Sequence, residues 1–211
     1  MRWSSVDDRT YWTLGEGFSR GVAPVHNTPA LLLPAGVGEE YRVPMSEQDP
    51  VRGFAVAVVR EEGKWRCTAM DGSVLRELDA AITELRKIRS TGAVFGLLDV
   101  DDQFFLIVRP GPGGVQLFLS DAAAALDYDI AADALDLLRV DPPADDDDDD
   151  EVWPEGADDL LADIGLPAAE LQVIAGEVDL YPDEQLQIVA QRCGFAEEFG
   201  KLLDSLDSIA Q

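Results

Sequence analysis

Three apolar runs joined by connections of only five residues restrict what this chain can build more than any other feature. Ala93–Leu98, Phe104–Arg109 and Val115–Leu119 are strand-length, and only DVDDQ and PGPGG lie between them. A parallel neighbour needs a crossover of a dozen residues or more, so these strands must form an antiparallel meander. Upstream, FAVAVVR from Phe54 and KWRCTAM from Lys64 flank EEG and read as a hairpin. Two helical patterns supply a layer to pack on the sheet. Leu75, Leu78, Ile82, Leu85 and Ile88 make an apolar stripe behind Ser73 as cap, with Arg86, Lys87 and Arg89 at the C-terminal end that the helix dipole favours. A second helix is predicted from Asp121 to about Arg139, capped by Ser120 and faced by Leu126, Ile130, Ala134, Leu137 and Leu138. The fold class is therefore α+β: a mostly antiparallel five-stranded sheet with helices on one face, followed by a small all-helical C-terminal module.

Charge divides the chain. Of the net −26, the segment from Asp141 to Gln211 carries most, with twenty-one Asp or Glu against two bases, Arg192 and Lys201. Its densest part is an unbroken series of seven carboxylates: Asp145, Asp146, Asp147, Asp148, Asp149, Asp150 and Glu151. Like charges four apart on a helix repel, and Pro142-Pro143 blocks a helix arriving from the N-terminal side, so 141–154 reads as an acidic disordered linker. Residues 51–140 then form the sheet domain and 155–211 the helical module, in which Pro167 and Pro182 mark helix starts and Gly176 and Gly194 mark stops. Residues 1–50 are rich in Gly and Pro and read as a disordered leader; Met45, just before the first patterned strand, is an alternative initiator.

An acidic run of this density acts at physiological salt as one diffuse anionic patch, suited to a basic protein partner and opposed to direct nucleic acid binding. No uninterrupted apolar stretch approaches the ~20 residues that span a bilayer, so the expectation is a soluble, cytoplasmic protein that makes no membrane contact. The two cysteines, Cys67 and Cys193, lie far apart and read as reduced structural thiols.

Catalytic motifs are sparse. The single histidine, His26, lies in the leader and is followed by Asn27 and Thr28, which departs from the H-x-E element of a zinc deaminase. GPGG at Gly111–Gly114 lacks the Lys and Ser or Thr of a phosphate-binding loop, and the acidic run lacks the spacing of a calcium loop. The expectation is a protein with no cofactor, no metal and no catalytic residue. One cluster offers an alternative: Asp99, Asp101 and Asp102 in the turn after the third strand, Arg109 ending the fourth, and Asp121 after Ser120. Such a set could serve a small-molecule or metal-dependent enzyme, although turns also favour Asp for local hydrogen bonding. A deep pocket lined by these residues would favour the enzyme; an exposed apolar patch ringed by acids would favour a binding protein.

VDDQFFLIVR, LSDA, GLPAAEL and YPDEQLQIVAQRCGF carry a further signal. Over Phe54 to about Phe199 the chain resembles the bacterial proteins called tRNA adenosine deaminase-associated. That resemblance implies a non-enzymatic accessory role, with a tRNA adenosine deaminase as the candidate basic partner, and it supplies no catalytic residue.

Overall fold

The computed structural model describes residues 51–142 and 152–210. The leader, His26 and the run Asp145–Glu151 lie outside the described residues. The described residues belong to one compact unit built around an antiparallel sheet in the order β2-β1-β3-β4-β5-β6. The strands are β1 (Gly53–Glu61), β2 (Lys64–Ala69), β3 (Val94–Val100), β4 (Phe104–Gly111), β5 (Gly114–Leu119) and β6 (Glu155–Gly156).

The sheet has apolar side chains on both faces. Along β1, Ala55 and Ala57 enter one core while Val56 and Val58 enter the other, and β3 and β4 alternate in the same way. That is why these strands read as continuous apolar runs: alternation disappears from the sequence when each face is covered. The edge strand β2 alternates instead, with Trp65 and Cys67 turned toward the second core and Lys64 and Arg66 exposed.

Turn chemistry fixes the register. Glu62 and Gly63 between β1 and β2 have φ of 50° and 78°, and Asp101 and Asp102 between β3 and β4 have 58° and 56°. Two successive left-handed residues make a tight turn whose twist matches the flanking strands, and Asp tolerates that conformation better than most residues. Gln103 N–H closes the second turn onto the Val100 carbonyl at 3.0 Å.

On the first face lie α1 (Leu78–Lys87) and α2 (Asp129–Leu138). Both begin later than the sequence predicts. Asp71, rather than Ser73, caps a 3-10 turn over Gly72–Leu75, its carboxylate accepting from Ser73 N–H at 2.9 Å; α1 starts only after Glu77. Likewise Asp121 caps a 3-10 turn over Ala122–Leu126, and α2 follows Tyr128. Ser120 has a different task, accepting a hydrogen bond from Phe105 N–H inside the core at 2.9 Å. The break resets the helical phase, so Ile130, Ala131, Ala134 and Leu135 are buried while Leu126 and Leu137, expected in the core, are exposed.

The chain after Val152 adds a sixth strand and a third layer. β6 pairs with β5 through Leu119 and Phe118, two residues that a five-strand reading left without an outer neighbour. Gly156 permits it: at φ 113° a Cβ would sit 2.2 Å from the Leu117 carbonyl oxygen. Residues 157–164, read as helix in the sequence, form turns with a 3-10 segment at Ala162–Ile164. Then α3 (Ala168–Ala175), α4 (Pro182–Cys193) and α5 (Ala196–Ala210) cover the second face, with Pro182 at the first turn of α4 and Gly176 and Gly194 ending α3 and α4.

Aromatic side chains join the layers. The Phe195 ring lies 5.1 Å from Trp65 of β2, 5.8 Å from Phe95 of β3 and 6.2 Å from Phe199 of α5. Phe199 also meets Phe54 of β1 at 5.8 Å.

Candidate functional site

The turn aspartates are held by main-chain geometry and by neighbours. Asp101 accepts from Arg52 N–H at 2.9 Å with one oxygen and from the Tyr128 hydroxyl at 3.2 Å with the other, tying β1 and the start of α2 to the turn. Asp102 supplies the second left-handed turn residue. Asp121 caps its 3-10 turn through Ala123 N–H at 3.0 Å and takes Trp153 N–H at 3.3 Å, so it also anchors the segment entering β6.

Asp99 differs from the rest. Its residue is 1% exposed, on the face covered by α3–α5, and Oδ1 has no hydrogen-bond partner. Burial, first of all, pushes this carboxyl up to about 7; the negative charges of Asp102, Asp183 and Asp101 add to it, opposed by a main-chain hydrogen bond at Asp102. A buried carboxyl among acids holds its proton because ionisation would place an unpaired charge in a poorly solvated site.

Arg109 does not join this group. It pairs in register with Gln116, whereas Asp99 pairs with Phe105. Four residues of strand put it about 13 Å further along β4. There its guanidinium donates to both carboxylate oxygens of Asp163, at 2.5 and 2.7 Å, and to the Leu160 carbonyl. The hydrogen bonds from Arg109 hold the Asp163 carboxyl below its ordinary range, and the same pairing raises Arg109. This clamp fastens residues 160–163 to the sheet. The sequence-predicted cluster therefore resolves into two ends of one sheet: Asp99, Asp101, Asp102 and Asp121 at the β3–β4 turn, and Arg109 near the β4–β5 turn.

Cavities tell the same story. A hollow of about 210 Å³ beside the first end is lined by Val51, Leu75, Arg76, Asp127, Tyr128 and Ile130, and a groove of about 540 Å³ at the other end includes Arg109 and Asp163. Neither is lined by a turn aspartate. Among the described residues, no group of three or more His, Cys, Asp or Glu is arranged to hold a metal ion. Burial, first, raises the Cys67 thiol to about 12 and the Cys193 thiol to about 11; both cysteines are free.

The sequence reading missed the surface that stands out. Val173, Val178 and Tyr181 are 69%, 65% and 67% exposed; Val178 and Tyr181 belong to the corner between α3 and α4, and Val173 lies in the last turn of α3 before it. Glu177, Asp179 and Glu184, interleaved with them, are exposed as well. The corner is rigidly held: the buried Gln185 side chain donates to the Glu177 carbonyl at 3.0 Å, and Tyr181 N–H donates to the Glu184 carboxylate at 3.0 Å. From it a groove of about 510 Å³ runs along α4, lined by Leu180, Glu184, Gln187, Ile188, Gln191 and Ala196. Large apolar side chains held out in water next to a groove of mixed apolar and polar lining are the signature of a contact surface. The signal available in the sequence was EVDLYPDE, where Val178, Leu180 and Tyr181 interrupt acids without helical spacing.

A family model for Rv3753c-like tRNA adenosine deaminase-associated proteins matches residues 53–196. The chain belongs to this family. Protein Rv3753c of Mycobacterium tuberculosis (strain ATCC 25618 / H37Rv) is 57% identical over 158 residues, covering 75% of this chain and 91% of that relative. No solved structure matches. The region matched by the deaminase-associated family takes in the aspartate turn, the Arg109–Asp163 clamp and the whole α3–α4 corner. Among the described residues, no helix is long and apolar enough to cross a membrane.

Proposed function

We propose that this deaminase-associated protein is a non-enzymatic accessory protein that contacts a basic partner, such as a tRNA-modifying deaminase, through acidic surface. The observation that carries this reading is the α3–α4 corner, where exposed Val178 and Tyr181 stand among exposed Glu177, Asp179 and Glu184. Apolar side chains provide contact area while surrounding carboxylates select and steer a cationic partner. The net charge of −26 supports the same sign of partner, and Asp145–Glu151 extends the anionic surface as a steering element. The enzymatic alternative finds less support: Asp101, Arg109 and Asp121 are each committed to structural hydrogen bonds, and Arg109 sits apart from the others.

The test is co-purification of the chain with the deaminase at low and at high salt, beside a variant with Asp145–Asp150 changed to Asn. Salt-sensitive recovery that falls in the variant is expected. Equal recovery in all four conditions would refute an electrostatic role for the run, and no recovery in any condition would remove the deaminase as partner.

A further inference from the structure

We infer that the groove along α4 receives a basic amphipathic helix of the partner, with Leu180 and Ile188 as its apolar lining and exposed Tyr181, at the start of α4, beside it; this rests on the accessory-protein reading above and assigns it a docking site. Glu184, Gln187, Ile188 and Gln191 recur at helical spacing on one side of α4, while Leu186, Val189, Ala190 and Cys193 bury the opposite side. The groove thus has the straight, one-sided wall that a helix can lie along. Twelve residues of α4 span about 18 Å, enough to match three turns of a partner helix. An extended peptide fits less well, because a helix wall offers no unpaired main-chain edge to hydrogen-bond it, whereas apolar anchors at i, i+3 and i+4 find Leu180, Tyr181 and Ile188.

Charge selects the occupant. Glu184 lines the groove, and Glu177 and Asp179 stand exposed at the adjoining corner. The two nearby bases are already engaged: Lys201 pairs with Glu197 at 2.6 Å and Arg192 with Glu170 at 2.7 Å. A helix with Lys or Arg flanking an apolar stripe satisfies these carboxylates; an acidic helix is repelled. The corner also needs no ordering on binding, since Gln185 and Glu184 fix its backbone in the free chain.

The experiment uses the full chain and an 18-residue fluorescent peptide of Leu and Lys, with Leu at helical spacing, followed by anisotropy at 0.15 M salt. A matched Leu/Glu peptide serves as control. Tyr181→Ala and Gln187→Lys, both on exposed positions outside the core, are each expected to weaken the Leu/Lys peptide by about tenfold or more, and Asp145–Asp150→Asn by less than about threefold. Circular dichroism confirms that each variant keeps its fold. Binding lost in the run variant but unchanged by Tyr181→Ala and Gln187→Lys would overturn the groove while leaving the steering role of the run intact. No binding of the Leu/Lys peptide, or equal binding of the Leu/Glu peptide, would overturn the groove outright.

Discussion

Replacing Asp99 with Asn should make the protein more stable at neutral pH, and the gain should depend on pH in a defined way. The carboxyl is 1% exposed with Oδ1 unpartnered, and its value is raised from 3.8 to about 7. Between those two values the native state keeps a proton that the unfolded chain has released. A group with a raised native value favours folding fully below the unfolded value and loses that contribution as pH climbs to the native one. The slope is about 1.4 kcal/mol per pH unit. Across the full interval the penalty accumulates to about 4 kcal/mol and then stays constant above pH 7. Asn is close to the neutral acid in shape and carries no charge. Urea unfolding of both proteins at pH 4, 5, 6, 7 and 8 measures the difference directly. The two should be nearly equal at pH 4, diverge up to pH 7 and run parallel beyond. A difference that is constant across the series, or that grows only above pH 7, would refute the account of Asp99 as a buried proton carrier. Asp183→Asn gives an independent check, because removing one of the neighbouring charges should shift the end of the sloping region to lower pH.

Phe195→Ala should cost about 4 kcal/mol, since a fully buried ring with three aromatic neighbours is lost. If α3–α5 share one core with the sheet, denaturation should remain a single transition; separate melting of the C-terminal helices would show otherwise. For Arg109 and Asp163, a double-mutant cycle with Arg109→Met and Asp163→Ala should give a coupling of about 1 kcal/mol, because the arginine side chain is only 19% exposed while its partner is 59% exposed. Coupling near zero would mean that the clamp does not hold residues 160–163 down. Neither thiol should react with an aromatic disulfide reagent in the folded protein at pH 8, where Cys67 at about 12 and Cys193 at about 11 are protonated; both should react in urea. Rapid native labelling of Cys193 would contradict its burial.

What could be read from the chain follows from the range of the forces involved. The hairpins were legible because EEG, DVDDQ and PGPGG are local, and a connection that short permits one arrangement of its strands. The helix starts were not, because Ser73 and Ser120 satisfy the usual preference for a cap, yet Asp71 and Asp121 lie where the backbone turns. Leu126 and Leu137 fit an unbroken helical stripe, and only the interruption at Asp127–Tyr128 turns them outward. Arg109 and Asp163 are 54 residues apart, so nothing local in the sequence marks the acid that Arg109 takes, which the chain after β6 brings in. The α3–α4 corner escaped notice for a related reason. Val178 and Tyr181 resemble core residues in composition, and only the finished fold shows that the core is already full beneath them.

Covering the second face of the sheet with the last helices sets a timetable for biosynthesis. By the time Leu119 has been made, five of the six strands exist, with Phe95, Leu97, Phe105 and Ile107 along the face that α3–α5 will cover. Phe199 is eighty residues later. At about 5–20 residues per second the ribosome takes roughly 4–16 s to supply it. During that interval the nascent chain has a naked greasy surface and needs either a chaperone or a provisional covering, which makes stalling or truncation after residue 142 a route to aggregation.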